Sequence, residues 1–283
     1  MDNSVDVRGT KLETKEILLV NDDGIRSVGL VKLKKRMERL GKIIVVTPES
    51  ERSGTGKAVS TNLIAVKETT LDDGTRAYAI GGTPADACLL AIFKILKHRP
   101  SLVVSGINLG PNLGIDDFLT SGTLGAALEA ALHGVPAIAV SYSLERIVDA
   151  EGKLHSNINM ESLEFGAELA GQTAEFVLER GMPEDVDLIS INVPEKPASK
   201  EVEITALSYK GYTDIFAEKA DGYQIRGWFL EDYPADVAGT DIHAIRENRH
   251  ASITPIKLNF THSKNDLEEL SRYLNGRSYS VTS

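Results

Sequence analysis

Within about 30 residues the chain runs through an apolar strand, a helix and a β-branched strand, an order that requires a parallel sheet with covered faces. Glu16 to Val20 (EILLV) is the first strand, and it ends in Asn21-Asp22-Asp23-Gly24. From Val28 to Leu40, the residues Leu30, Val31, Leu33, Met37 and Leu40 recur at helical spacing, and Gly41 stands where a C′ glycine closes a helix. Lys42 to Thr47 (KIIVVT), bounded by Pro48, is the second strand. The alternation continues. Ala58–Thr69 and Arg76–Ile80 read as extended segments joined through Asp72-Asp73-Gly74. Thr83, Pro84 and Asp86 supply the cap, N1 proline and first-turn acid of a helix. That helix runs to Lys97 and is apolar on nearly all sides, which places it deep in the protein. Further strands are expected at 101–105, 136–141 and 186–193, and further helices at 123–133 and 162–180. The sum is a doubly wound α/β core.

After Pro194 the texture changes. A strand at 201–207 precedes two segments, Tyr212–Ala217 and Tyr223–Leu230, that flank the hairpin signal Asp221-Gly222. Short mixed elements follow at 239–246, 252–255 and 265–274. A hairpin is marginal alone, so Trp228, Tyr209, Tyr212 and Tyr223 are expected to pack on the core or on a second subunit. The division is a flexible lead over 1–14, a core over 15–198, and a hairpin with an oligomerisation arm over 199–283.

Composition narrows the function classes. With 31 basic and 41 acidic residues in 283, the net charge of −10 argues against duplex nucleic acid as partner. A small phosphorylated ligand stays open, because a metal ion and backbone N–H groups can hold one without net positive charge. The lone Cys88 makes neither an internal disulfide nor a cysteine-ligated zinc site. No apolar run approaches the roughly 18 residues of a spanning helix. The polar start of the chain reads as that of a cytoplasmic protein.

Ligands of open α/β sheets bind outside the carboxyl ends of the strands. Three loops there are rich in oxygen donors and glycine: 21–24, 49–57 and 105–112, the last followed by Thr120-Ser121-Gly122-Thr123 at a helix start. Asp-Asp-Gly is ordinary turn chemistry. Two carboxylates at the end of a buried strand nevertheless repel unless a cation is present, and a hard ion such as Mg²⁺ or Mn²⁺ suits such oxygens. Ser53-Gly54-Thr55-Gly56-Lys57 fails as a P-loop, because Glu51 stands at its first glycine and Ala58 follows the lysine. Ser121 or Thr123 caps a helix whose N–H groups could also face an anion. Asn108 and Asn112 are, on local grounds, Asx-turn residues. The six histidines show no metal-binding spacing, and G-x-S-x-G is absent.

Six segments together carry a resemblance: NDDGI (21–25), TPESERSGTGKAVS (47–60), GGTPADAC (81–88), SGINLGPNLG (105–114), SGTLGAALEA (121–130) and SITPI (252–256). In this order and spacing the chain resembles the SurE (survival protein E) nucleotidases over about Lys15 to Ile256. The resemblance implies a Rossmann-like three-layer α/β/α core with a C-terminal β-hairpin and an exchanged arm, assembled as homodimer or homotetramer. It implies one divalent metal per subunit, Mg²⁺ or Mn²⁺, on Asp22, Asp23, Ser53 and Asn108. Asn112 and the Ser121-Gly122-Thr123 segment would face the phosphate; on our reading of the loops the backbone N–H near Gly54 joins them in binding it, and Asp22 and Asp23 are the candidate catalytic carboxylates. The implied reaction is hydrolysis of nucleoside 5′- and 3′-monophosphates, with short polyphosphate a further substrate. Before SITPI the family carries a glycine turn where this chain has Glu247-Asn248-Arg249-His250-Ala251, with Asn248 able to take left-handed geometry. Ser143 to Met160 has little that aligns.

Rivals are weaker. A phosphoacceptor domain needs an aspartate ending a middle strand, where this chain has Val104-Ser105-Gly106. A haloacid-dehalogenase-type site needs two aspartates separated by one residue, and Asp22 and Asp23 are adjacent. A catalytically silent nucleotide-binding sensor on the same fold is the alternative that turnover alone distinguishes.

Overall fold

The structure is a computed structural model that describes residues 15–145, 147–148, 154–155, 158–225, 229–261 and 267–276. The expected lead over 1–14, Trp228 and His262 lie outside the described residues.

Strand β1 (Glu16–Val20) explains the architecture. Its side chains alternate between two cores: Ile17 and Leu19 enter one cluster, Leu18 and Val20 the other, all fully buried. Parallel neighbours flank it, β2 (Lys42–Pro48) on one side and β5 (Leu102–Leu109) on the other. Outward from β2 lie β4 (Arg76–Ile80), parallel, and β3 (Val66–Thr70), an antiparallel edge. Outward from β5 lie β6 (Ala137–Ser143) and β9 (Leu188–Pro194), both parallel, with a separate antiparallel ribbon of β7 (Ile147–Val148) and β8 (Leu154–His155) between them in the chain. Two later strands, β13 (Ala251–Ile256) and β10 (Val202–Ile204), complete a nine-stranded sheet ordered β10-β13-β9-β6-β5-β1-β2-β4-β3. β13 runs antiparallel to β9, so the sheet is mixed at both edges.

Helices α1 (Val28–Met37) and α5 (Met160–Arg180) pack together on one face. Helices α2 (Pro84–Leu90) and α4 (Gly122–Leu132) pack together on the other. Three layers result, as expected from the sequence.

Several boundaries differ, each for a physical reason. α1 ends at Met37 rather than Leu40, and Gly41 does not adopt the left-handed conformation. A Cβ there would stand 2.3 Å from the Lys15 carbonyl oxygen, so this glycine serves a close approach of two backbones. The helix capped by Thr83 has the expected capping box with Asp86 and Pro84 in its first turn, but turns π-helical over 91–95. Its far end is not deep: Phe93 is 51% exposed. β5 continues past Ser105 to Leu109 through a register shift at Gly106, where a Cβ would lie 2.3 Å from the Val140 carbonyl oxygen. Asn108 therefore sits on a strand rather than in a loop. Helix α3 (Gly114–Thr120) was not anticipated.

The expected hairpin is present as β11 (Phe216–Lys219) and β12 (Gly222–Ile225), shorter than the flanking segments suggested. A small third core gathers Leu113, Leu230, Tyr233, Ile242 of the short helix α6 (Asp241–His243) and Ile245 over α3. Helix α7 (Glu268–Asn275) buries nothing, and Leu267, Leu270, Tyr273 and Leu274 are all exposed. No helix among the described residues is long and apolar enough to cross a membrane.

Candidate active site at the carboxyl ends of the central strands

The turn after β1 is built by Asn21. Its side-chain amide donates to the Gly24 carbonyl (2.8 Å), and its side-chain oxygen accepts from the Gly24 N–H (3.2 Å). Gly24 closes the turn at φ +91°. This leaves the two aspartates splayed. Asp22 points toward α4 and accepts from the Thr123 hydroxyl. Gly122 makes room for it, since a Cβ there would stand 3.0 Å from the Asp22 Cβ. Asp23 turns the other way, where its Oδ2 accepts from the Leu109 N–H (3.3 Å) and the Ser27 hydroxyl (3.5 Å).

The second loop is fixed to the first and to the helices. The Arg52 N–H donates to the Asp22 carbonyl at 2.8 Å, and the Gly56 N–H to the Thr120 carbonyl at 2.7 Å. Gly125 of α4 lies so close that a Cβ would fall 2.1 Å from the Gly56 carbonyl oxygen. Lys57 Nζ then pairs with the buried Glu129 carboxylate at 2.6 Å. On this loop the Ser53 hydroxyl donates to Glu51 Oε1 (2.7 Å), and Gly54 adopts φ +69°.

In the third region, Asn108 Nδ2 donates to the Gly110 carbonyl at 3.0 Å, an arrangement that commits the amide nitrogen. Asn112 is held by Asn192: its N–H donates to Asn192 Oδ1 (3.1 Å), and Asn192 Nδ2 donates back to its carbonyl (2.9 Å). The Asn112 side-chain amide donates to the Ser141 hydroxyl at 2.8 Å. Ser121 is the N-cap of α4 and accepts from the Leu124 N–H at 3.2 Å.

These loops enclose a cleft of about 240 Å³ that brings Asp22, Ser53, Gly54, Asn108, Asn112 and Ser121 to one surface. Asp23, Gly122 and Thr123 are not on its wall, and the Thr123 hydroxyl is engaged by Asp22. Among the further lining residues are Glu51, Asp117, Leu144 and Phe229, to which the sequence reading gives no site role. Glu51 could have been found, because it lies inside a loop already marked as chemical. Phe229 could not, since only tertiary packing carries it to the cleft from far along the chain.

The electrostatics are those of an acidic pocket. Burial pushes Asp22 up to about 6, against the lowering effect of the Thr123 bond, with Glu51 adding repulsion. Burial and the neighbouring Asp22 charge push Asp23 up to about 7. Among the described residues no lysine, arginine or histidine forms an ion pair with Asp22, Asp23 or Glu51. Nor does any group of three His, Cys, Asp or Glu stand positioned to hold a metal. An ion here would rest on two carboxylates, the Ser53 hydroxyl and the Asn108 amide oxygen. Such an all-oxygen set suits a hard divalent cation and not zinc.

Comparison with known proteins gives consistent matches over most of the chain. The family model of the survival protein SurE matches residues 17–214. A 5′-nucleotidase SurE of Methanothermobacter thermautotrophicus is 42% identical over 227 residues, covering 80% of this chain and 84% of the relative. One from Methanosarcina mazei is 39% identical over 273 residues, covering 93% and 99%. The crystal structure of the SurE protein from Aquifex aeolicus superposes with a TM-score of 0.70 at 30% identity, over 92% of this chain and 99% of that one.

Proposed function

The chain belongs to the SurE family and is a 5′-nucleotidase, and from that premise we propose a substrate range, a cofactor and roles for named residues. The substrates are nucleoside 5′- and 3′-monophosphates, cleaved to nucleoside and phosphate, with short polyphosphate a further one. The cofactor is one divalent cation per subunit, Mg²⁺ or Mn²⁺, on Asp22, Asp23, Ser53 and Asn108. The observation that carries this reading is the meeting of Asp22, Ser53 and Asn108 on one cleft whose carboxylates have no cationic partner among the described residues.

When bound, the ion supplies Lewis-acid polarisation of a phosphoryl oxygen. The chain's own groups do the rest. The amide of Gly54 and the first amides of α4, at Gly122 and Thr123, would offer partial positive charge to a phosphate seated beside Ser121. Asn112, locked by Asn192 and Ser141, holds its place in the lining of the cleft. Asp22 and Asp23 are the carboxylates at hand to orient the attacking water, and Asp22 is kept in place by the Thr123 hydroxyl. Leu144 and Phe229 add apolar surface to the cleft.

The exposed apolar residues of α7 and of β11–β12 (Phe216, Tyr223 and Ile225) support assembly into a homodimer or homotetramer through the C-terminal arm. Light scattering on the full chain tests this, and a monomer at micromolar concentration contradicts it.

Phosphate release from a panel of nucleoside 5′- and 3′-monophosphates, with Mg²⁺, Mn²⁺ or EDTA, tests the activity. Release that EDTA abolishes and metal restores is the expected outcome. Tight nucleotide binding without release would make the protein a sensor.

A further inference from the structure

We propose that Asp117 and Tyr233 form a clamp that positions Phe229, and that Phe229 and Leu144 together are the wall on which the nucleoside part of the substrate packs. The inference rests on the nucleotidase reading and adds to it a specificity surface and the residues that hold it.

Asp117 lies on α3 and is 3% exposed. Its Oδ2 accepts from the Leu113 N–H at 2.8 Å and from the Tyr233 hydroxyl. Tyr233 is buried in the third core with Leu113 and Leu230, edge-on to Tyr212 at 6.4 Å. One short turn separates Tyr233 from Phe229. The Asp232 N–H donates to the Phe229 carbonyl (2.9 Å), the Phe229 N–H to Asp232 Oδ2 (3.0 Å), and the Tyr233 N–H to the Leu230 carbonyl (3.3 Å). At its other side the turn is tied to the core strand: the Leu230 N–H donates to the Leu144 carbonyl at 3.1 Å. The turn thus has two anchors, one at Leu144 and one at Asp117, and both anchor residues line the same cleft as Phe229.

The chemistry of the cleft assigns the ends of a ligand. Its oxygen-rich end, at Asp22, Ser53 and Asn108, suits phosphate and a cation. Its apolar end, at Leu144 and Phe229, suits a flat ring with a π face, which in a nucleotide is the base. A bond from a phenol to a carboxylate out of water is stronger and more directional than a neutral one. It therefore fixes an aromatic wall that would otherwise ride on a loop. Tyr233 touches no substrate in this arrangement and is a positioning residue.

The test uses the full chain with Mn²⁺ and compares two substrates that share the sugar and the phosphoryl group: adenosine 5′-monophosphate and ribose 5-phosphate. Tyr233→Phe keeps the packed ring and removes the anchor. It should raise KM for the nucleotide about threefold with kcat little changed, and leave KM for ribose 5-phosphate as it was. Phe229→Ala removes the wall itself and should raise the nucleotide KM about 10-fold. Equal effects on both substrates, or no effect on either, overturn the clamp. Calorimetric binding of adenosine reads the clamp without turnover: weaker binding by Tyr233→Phe supports it, and equal affinity overturns it. Wild-type protein that binds adenosine yet releases no phosphate fails the nucleotidase reading and leaves this binding comparison to decide the clamp.

Discussion

Lys57→Met removes the cationic half of an ion pair whose other half is inside the protein. The Glu129 side chain is 3% exposed and the Lys57 side chain 38%. His133 Nε2 stands 3.6 Å from the second Glu129 oxygen, but it is charged only when protonated. Removing one partner of a fully buried pair costs about 3–5 kcal/mol, whereas exposed pairs are worth about 0.2–1 kcal/mol. One buried and one partly solvated end place this pair between the two, at about 2 kcal/mol. Replacing both residues, as Lys57→Met with Glu129→Met, removes the stranded charge and should recover about 1 kcal/mol or more of that loss. Urea unfolding at pH 7 in EDTA measures both without any contribution from bound metal. The same pair holds the loop that carries Ser53 and Gly54, so Lys57→Met should also slow phosphate release about 10-fold. A single variant within about 0.5 kcal/mol of wild type would refute the reasoning. A double variant no more stable than the single one would refute it equally.

Substitutions at three other positions read separate parts of the structure. Gly125→Ala places a Cβ 2.1 Å from the Gly56 carbonyl oxygen, so the Ser53 loop must move. Phosphate release should drop about 100-fold, and unchanged turnover would contradict the packing. Arg249 holds φ +53°, ψ +38° and pairs with the Glu145 carboxylate, which Lys196 also binds. Arg249→Gly and Arg249→Ala both lose that pair, but only alanine keeps the left-handed strain. Glycine should therefore be the more stable by about 1 kcal/mol in urea unfolding, and alanine equal or better would deny the strain. Burial pushes Asp117 up to about 7, so between about pH 4 and pH 7 the unfolded chain releases a proton that the folded chain keeps. Stability contributed by this group falls across that window and is level above it. Asp117→Asn should flatten the difference, and an unchanged pH profile would show that Asp117 is already ionised.

Much of this was legible because local signals and tertiary demands coincide. The run EILLV ends in a turn whose asparagine and glycine bond each other, so strand, turn and carboxylates could be read together. The order of oxygen-rich loops could be read as well, since a parallel sheet puts them at one edge. Where a residue serves contact at a distance, the reading fell short. Gly41 looked like a helix stop and is a point of backbone approach to Lys15. Asn108 looked like a turn residue, yet Gly106 bends β5 and lets the strand carry it into the cleft. At the turn before β13, Arg249 rather than Asn248 takes the left-handed position, and the Glu145 carboxylate that receives its guanidinium cannot be foreseen locally. The Thr123 hydroxyl donates to Asp22 across the fold, a contact that the local helix-cap pattern does not announce. Asp117 lines the cleft from α3, a helix the sequence pattern does not announce, and Phe229 reaches it only through the fold of the C-terminal segment.

A cation held by Asp22, Asp23, Ser53 and Asn108 is central to the proposed chemistry. Calorimetric titration of EDTA-stripped protein with Mn²⁺ measures that directly, in wild type and in Asp22→Asn, with circular dichroism to confirm that both are folded. One site per chain in wild type, lost or weakened at least about 10-fold in the variant, is the predicted result. Equal Mn²⁺ affinity in the two folded proteins would contradict it.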